Sequence, residues 1–265
     1  MNRSIVILIS FLLMSSCGKE ESADGDTASD GTSEQLSNGW VTIQRSSGTS
    51  DSAYYNHPTP GTAKPAVIYN HGKFIEQNGF SGGVSAGYDI TDFADAIANS
   101  GFAGIAPVRA SGSTFDDGMF DAVISALKAQ DDIDGSQIFM YGFSRGGLLS
   151  HQFAVNDDSQ LKGVILNSPS PGRDVGSSSN EFAETLDDLQ AIDVPYLVLI
   201  GDEEDNPTIT SNVNQLVTNL NALNKSLAIY RLTGDSDDPT ADHDWFYVIR
   251  TAYWTKIDSF LSANS

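Results

Sequence analysis

The sequence predicts an α/β fold: a single domain with a mainly parallel central sheet and helices on both faces. Two observations carry this expectation. Short apolar runs of strand length recur along the chain, and they alternate with segments whose apolar residues fall at helical spacing. Parallel strands covered on both faces read as unbroken apolar runs, and each crossover between them is long enough to hold a helix. A third observation sets the scale: 40% of the 265 residues are apolar and 18% charged, enough to bury one sizeable core.

Each element follows from local pattern. WVTIQR (40–45) and SAYYNH (52–57) alternate or are aromatic-rich, with Ser/Gly turn residues between them, and predict an opening hairpin. AVIYNHG (66–72) after Pro65 is a compact buried strand. Ile90, Phe93, Ala94, Ile97 and Ala98 share one helical face that ends at Gly101, and the strand FAGIAPV (102–108) follows directly. Met119 or Phe120 with Val123, Ile124 and Leu127 predicts a second helix, leading into QIFMYG (137–142). LKGVILNS (161–168), PYLVLIG (195–201) and SLAIYRL (226–232) predict three more buried strands. Val213, Leu216, Val217, Leu220 and Leu223 line a helix between the last two, and Ile249, Ala252, Tyr253, Ile257, Phe260 and Leu261 stripe a final helix. The segments 73–88, 109–118 and 169–190 are expected as loops around a pocket, with no large lid.

The N-terminus reads differently. Residues 1–17, MNRSIVILISFLLMSSC, have an early arginine, an apolar run and then small residues, the pattern of an export signal too short to span a bilayer. Its end, LMSSC, resembles the lipobox of bacterial lipoproteins, which implies lipidation of Cys17, the sole cysteine, and membrane association through that anchor. Residues 18–39 are small, polar and acidic, a composition that cannot offset its own ordering entropy, and predict a flexible tether. The globular domain is then 40–265. By the same resemblance Gly18 is compatible with sorting to an outer membrane and Lys19-Glu20-Glu21 is similar to the acidic export signals of some surface lipoproteins, which implies a periplasmic or surface-facing position; a plain solubilising spacer explains the acids equally well.

Charge excludes one class of partner. A formal net charge of −21 sets a repulsive field against every phosphate contact, so no nucleic acid is expected. No metal is expected either, because DSDDPTADHDWF (235–246) lacks the sixth-position glycine and twelfth-position glutamate of a calcium loop, and no Cys/His set has zinc spacing. Nothing in the sequence calls for a cofactor, and nothing in it speaks to oligomeric state.

Gly142-Phe143-Ser144-Arg145-Gly146 fits G-x-S-x-G, and its context makes the fit specific: QIFMY before it predicts a strand and GGLLSHQFAV after it a helix. A sharp strand-to-helix turn lifts such a serine to the sheet edge, beside backbone N–H groups and the positive end of a helix dipole. Here the chain resembles the α/β-hydrolase superfamily over residues 40–263, and most of all its dienelactone-hydrolase-like and small serine esterase branches. That resemblance implies a nucleophile, an acid and a histidine in that chain order. His57 and His71 precede Ser144, and His151 lies two helical turns beyond it, which leaves His243 in DHDW as the base. The acid falls in Asp202-Glu203-Glu204-Asp205-Asn206-Pro207, with Asp205 preferred and Asp202 and Glu204 open. By the same resemblance Asn70-His71-Gly72-Lys73 is the oxyanion loop: the Lys73 and Arg145 backbone N–H groups are the donors, and His71 organises the loop.

Arg109, at the end of its strand, and Trp245, beside the base, are candidates for substrate binding; for Arg109 and the Arg145 side chain, internal salt bridges in so acidic a protein are the favoured reading, and recognition of a substrate carboxylate the other. The implied activity is serine hydrolysis of a carboxylic ester, small or polymer-borne, since dienelactone hydrolases themselves carry cysteine where this chain has serine. A serine peptidase or acyltransferase of the same fold, and a catalytically silent surface binding protein, are the alternatives.

Overall fold

The computed structural model describes residues 35–170 and 189–265, which belong to one unit, Ser33–Ser265. The expectations for the export signal, Cys17, the tether through residue 34 and the 171–188 part of the third loop lie outside the described residues. Eight strands form one sheet: β1 (Gly39–Gln44), β2 (Ser50–Asn56), β3 (Lys64–Asn70), β4 (Ala103–Pro107), β5 (Ile133–Phe143), β6 (Gly163–Asn167), β7 (Tyr196–Gly201) and β8 (Leu227–Leu232). Their order is β1-β2-β4-β3-β5-β6-β7-β8, antiparallel at β1–β2 and β2–β4 and parallel elsewhere. The crossovers hold α1 (Lys73–Ser85), α2 (Ile90–Asn99), α3 (Met119–Lys128), α4 (Arg145–Asn156) and α5 (Pro207–Ala222), and α6 (Thr251–Asn264) closes the chain.

The sheet is apolar on both faces because alternate residues of each central strand feed two separate cores. Ile68, Met140, Leu166 and Val198 point to the α3–α4–α5 side, among Ile124, Leu127, Leu148, Phe153, Val213 and Leu216. Val67, Phe139, Ile165 and Leu197 point to the α2–α6 side, among Phe93, Ile97, Tyr253, Ile257 and Leu261. Each such side chain contributes about 1.5–3 kcal/mol on burial, which fixes strand register before any polar contact is made.

Caps then fix where the helices begin. Asp89 accepts from the Thr91 N–H at 2.9 Å and starts α2, and Asn206 accepts from the Thr208 N–H at 3.0 Å, with Pro207 at the first helical position, to start α5. A cap of this kind is worth about 1 kcal/mol.

Four expectations change. The segment 73–88 is mostly helix, not a loop: α1 runs through Gly79, whose φ of 71° and ψ of 173° break it into two short pieces. Strand β8 is half exposed, because it closes the sheet and has a neighbour on one side only. In α6 Trp254 takes the buried place expected for Ala252, and Ile249 precedes the helix. The packed chain also begins before residue 40: the Leu36 N–H donates to Gln130 Oε1 at 2.8 Å, and Asn38 pairs with the His57 backbone at 2.8 and 3.2 Å. No helix among the described residues is long and apolar enough to cross a membrane.

Candidate active site

Strand β5 delivers Ser144 to the C-terminal edge of the sheet and α4 starts at the next residue. Ser144 has φ 52° and ψ −119°, a backbone state that costs a non-glycine residue about 1–3 kcal/mol and persists only where its surroundings enforce it. The glycines explain how. A Cβ at Gly146 would stand 1.8 Å from the Asn70 carbonyl oxygen, and one at Gly142 would stand 2.4 Å from the Gly146 carbonyl oxygen. The turn is therefore packed backbone against backbone, and the Ser144 N–H donates to the Asn167 carbonyl at 2.9 Å from β6.

His243, just before a 3₁₀ turn at Asp244–Tyr247, reaches Ser144 from across the sheet edge. Its Nε2 lies 2.9 Å from Ser144 Oγ and its Nδ1 3.0 Å from Glu204 Oε2. Phe143, 1% exposed, holds the imidazole from beneath with ring centres 5.0 Å apart.

The carboxylate on His243 belongs to Glu204, which corrects the preference for Asp205. Asp202 and Asp205 are exposed, whereas the Glu204 side chain is 1% exposed. The reason is the turn that ends β7. The Asn206 N–H donates to Glu204 Oε1 at 3.2 Å and thereby turns Oε2 toward the imidazole. Gly201 permits the approach, since a Cβ there would stand 1.9 Å from the Ala241 carbonyl oxygen, two residues before His243.

Lys73 and Arg145 are the first residues of α1 and α4, and neither helix has a side-chain cap. Their N-terminal amides are among those that a helix leaves without internal partners. The two ends meet, because a Cβ at Gly72 would stand 3.4 Å from Ser144 Cβ. The Gly72 N–H is already committed to Tyr88 Oη at 3.0 Å, and Tyr88 Oη lies 2.7 Å from Tyr69 Oη. Burial pushes the Tyr88 phenol up to about 12, so it stays protonated.

His71 is wholly buried: its Nδ1–H donates to the Gly72 carbonyl at 2.8 Å and its Nε2 accepts the Arg109 N–H at 2.9 Å. Burial, and then the Arg109 guanidinium, hold its pKa well below 6.5. It is a neutral brace for the loop. His57 and His151 are buried elsewhere, against the Asp132 carbonyl at 3.0 Å and Tyr196 Oη at 3.2 Å respectively.

Of the two candidates for substrate binding, Arg109 takes the favoured reading, an internal salt bridge, and Trp245 is corrected. Arg109 does not face a ligand. Its Nε and Nη2 donate to Glu76 Oε1 at 3.1 and 2.8 Å, its Nη1 bonds to Asn70 Oδ1, and its Nη2 also bonds to the His71 carbonyl. The Arg145 side chain joins the same cluster through Glu76 Oε2 at 3.2 Å and the Ser113 carbonyl at 2.8 Å. Trp245, 1% exposed, packs on Phe246 and Tyr253 with the Arg250 guanidinium 5.1 Å from its ring centre, and so anchors α6 instead of lining a pocket.

Sequence reasoning missed Glu76, Tyr88 and Ser170, whose Oγ lies 3.3 Å from Ser144 Oγ. Only Glu76 left a signal. Two arginines at the ends of buried strands require a buried carboxylate, and Glu76 is the one acid in the first turn after His71-Gly72.

Residues 108–235 match the dienelactone hydrolase family, a span that includes Ser144 and Glu204 and stops short of His243. No curated protein matches the chain. Solved structures do: an esterase from the fungus Rhizomucor miehei aligns at 13% identity over 84% of this chain and 81% of its own, with a TM-score of 0.62. A dienelactone hydrolase candidate from Klebsiella pneumoniae aligns at 20% identity over 84% and 97%, with a TM-score of 0.63. The carboxylesterase EstE1, cloned from a metagenomic library, aligns at 16% over 84% and 86%, with a TM-score of 0.59. Sheet order and these neighbours give the chain an α/β-hydrolase-like fold, and its central segment, residues 108–235, is similar to the dienelactone hydrolase family.

Proposed function

We propose that the chain is a serine hydrolase that cleaves carboxylic esters through an acyl-enzyme. One observation carries the reading: a single imidazole bonds on one nitrogen to Ser144 Oγ at 2.9 Å and on the other to a buried carboxylate at 3.0 Å. A carboxylate on Nδ1–H selects the tautomer whose Nε2 lone pair can take a proton. Ser144 Oγ attacks the ester carbonyl carbon while its proton passes to His243 Nε2. The carbonyl oxygen becomes an oxyanion held by the Lys73 and Arg145 amides, each such donor being worth about 10²–10³ in rate. His243 then protonates the departing alcohol. Water, deprotonated by His243 in turn, attacks the acyl carbon and releases the acid and free Ser144.

A fluorophosphonate probe tests the reading: wild type should carry one adduct on Ser144 and Ser144→Ala none. An unlabelled wild type, beside a control esterase that labels fully, would sink it. A panel of p-nitrophenyl esters from acetate to palmitate then defines the acyl group, with short chains expected to react fastest.

The same proposal includes export and anchoring through Cys17. Its support is the sequence of residues 1–17 alone. Cells fed labelled palmitate should yield labelled protein that partitions with membranes, and Cys17→Ser should abolish both; equal partitioning of the variant would contradict the anchor.

A further inference from the structure

The segment after β6 contributes more to the nucleophile than a wall. It approaches the Ser144 turn through two main-chain hydrogen bonds and one side-chain contact. The Ser144 N–H donates to the Asn167 carbonyl at 2.9 Å and the Ser170 N–H donates to the Ser144 carbonyl at 2.9 Å. Pro169 packs so closely on Gly147 that a Cβ there would meet the Pro169 Cβ at 2.9 Å. Between these contacts Ser168 holds a left-handed φ of 39°, with its hydroxyl buried and without a hydrogen-bond partner among the described residues. Strain at a buried serine beside a nucleophile is maintained only by its surroundings, and such outliers gather at functional sites. Here the bend brings Ser170 Oγ to 3.3 Å from Ser144 Oγ.

Proton counting decides what that contact is. His243 Nδ1 faces the Glu204 carboxylate, which can only accept, so Nδ1 carries the ring proton and Nε2 the lone pair. Ser144 therefore spends its only proton on Nε2. In the Ser144–Ser170 pair the donor has to be Ser170, and it points at the oxygen that reacts.

We propose that Ser170 is a further catalytic residue, which donates a hydrogen bond to Ser144 Oγ and makes that oxygen a better leaving group in deacylation. The inference rests on the reading of Ser144 as nucleophile. At 3.3 Å the bond is longer than the usual 2.7–2.8 Å hydroxyl contact, and it tightens as charge gathers on Oγ. When the deacylation intermediate collapses, the C–Oγ bond breaks, its electron pair stays on Oγ, and the proton on His243 Nε2 returns to that oxygen. A donor already aimed at Oγ stabilises this charge at the moment it appears, and interactions of that kind accelerate a step. In acylation the same donor occupies an Oγ lone pair and opposes attack, so its loss costs less there.

The test is stopped-flow hydrolysis of p-nitrophenyl acetate by wild type, Ser170→Ala, Ser170→Thr and Ser144→Ala, with urea midpoints to confirm folding. Ser170→Ala keeps the main-chain N–H bond of the residue to the Ser144 carbonyl and should fold. It should retain the p-nitrophenolate burst while steady-state turnover falls about three- to tenfold, the loss of one hydrogen bond, and Ser170→Thr should recover most of the turnover. Burst and turnover both within twofold of wild type overturn this inference, as does an equal fall in both, the signature of a merely structural residue. A wild type with no burst, indistinguishable from Ser144→Ala, overturns the nucleophile reading itself.

Discussion

Glu204 Oε2 lies 3.0 Å from His243 Nδ1, whereas Asp205, one residue further on, is exposed to solvent. Glu204→Gln should therefore lower kcat by on the order of 10⁴, because an amide can present its N–H to the ring and favour the wrong tautomer. Asp205→Asn should stay within about threefold of wild type. Steady-state kinetics on one ester distinguish them, and the opposite ranking would return the acid to Asp205.

Glu76 is shared by two buried guanidiniums, Arg109 at 2.8 Å and Arg145 at 3.2 Å. Glu76→Gln leaves both without their counter-charge and should destabilise the fold by about 3–5 kcal/mol. Urea unfolding measures it. A loss under 1 kcal/mol would mean that water or the Asn70 and Ser113 oxygens suffice.

Tyr88→Phe removes the acceptor of the Gly72 N–H and the partner of Tyr69 Oη, at a buried position. We expect about 1–3 kcal/mol of destabilisation. The His71–Lys73 loop, where we propose the oxyanion is held, loses its tether as well, so kcat should fall while KM changes little. A variant with normal kcat would show that α1 holds the loop unaided.

His71 sets an acid-side limit on stability. Its folded pKa is depressed well below 6.5 by burial, so the unfolded chain takes up a proton near pH 6.5 that the folded chain refuses. Stability from this residue is complete above that pH and is lost as pH falls below it, at up to about 1.4 kcal/mol per unit. Urea unfolding of wild type and His71→Gln at pH 7.5, 6.5 and 5.5 should show the steeper acid loss in wild type. Parallel lines would refute the assignment.

Much of this architecture was legible in the sequence. The central strands show themselves because burial on both faces demands unbroken apolar runs, and Ser144 because turn context is a local property, whereas His243 was reached through the chain order that the family resemblance implies. Helix α1 was hidden: Gly79, Gly82 and Gly83 interrupt its apolar period, and its stability comes from what it packs against. The choice among Asp202, Glu204 and Asp205 could not be read either. It depends on which carboxylate the Asn206 amide catches as α5 begins, a matter of one turn's dihedral angles. The Glu76–Arg109–Arg145 cluster joins three residues remote in sequence, and residue type alone told of two cations without naming their shared anion.

The missing methyl group at residue 146 has a wider consequence. Since nothing larger than hydrogen fits between Gly146 and the Asn70 carbonyl, the end of β3, the Ser144 turn and the start of α4 form one clamp with no slack. Such a centre cannot soften by degrees. Heated slowly, the protein should keep full activity up to the temperature at which the whole domain melts and lose both together, so that inactivation curves and far-ultraviolet melting curves superimpose. Adaptation to a new substrate, by nature or by design, then has to work on the surrounding loops and leave this joint alone.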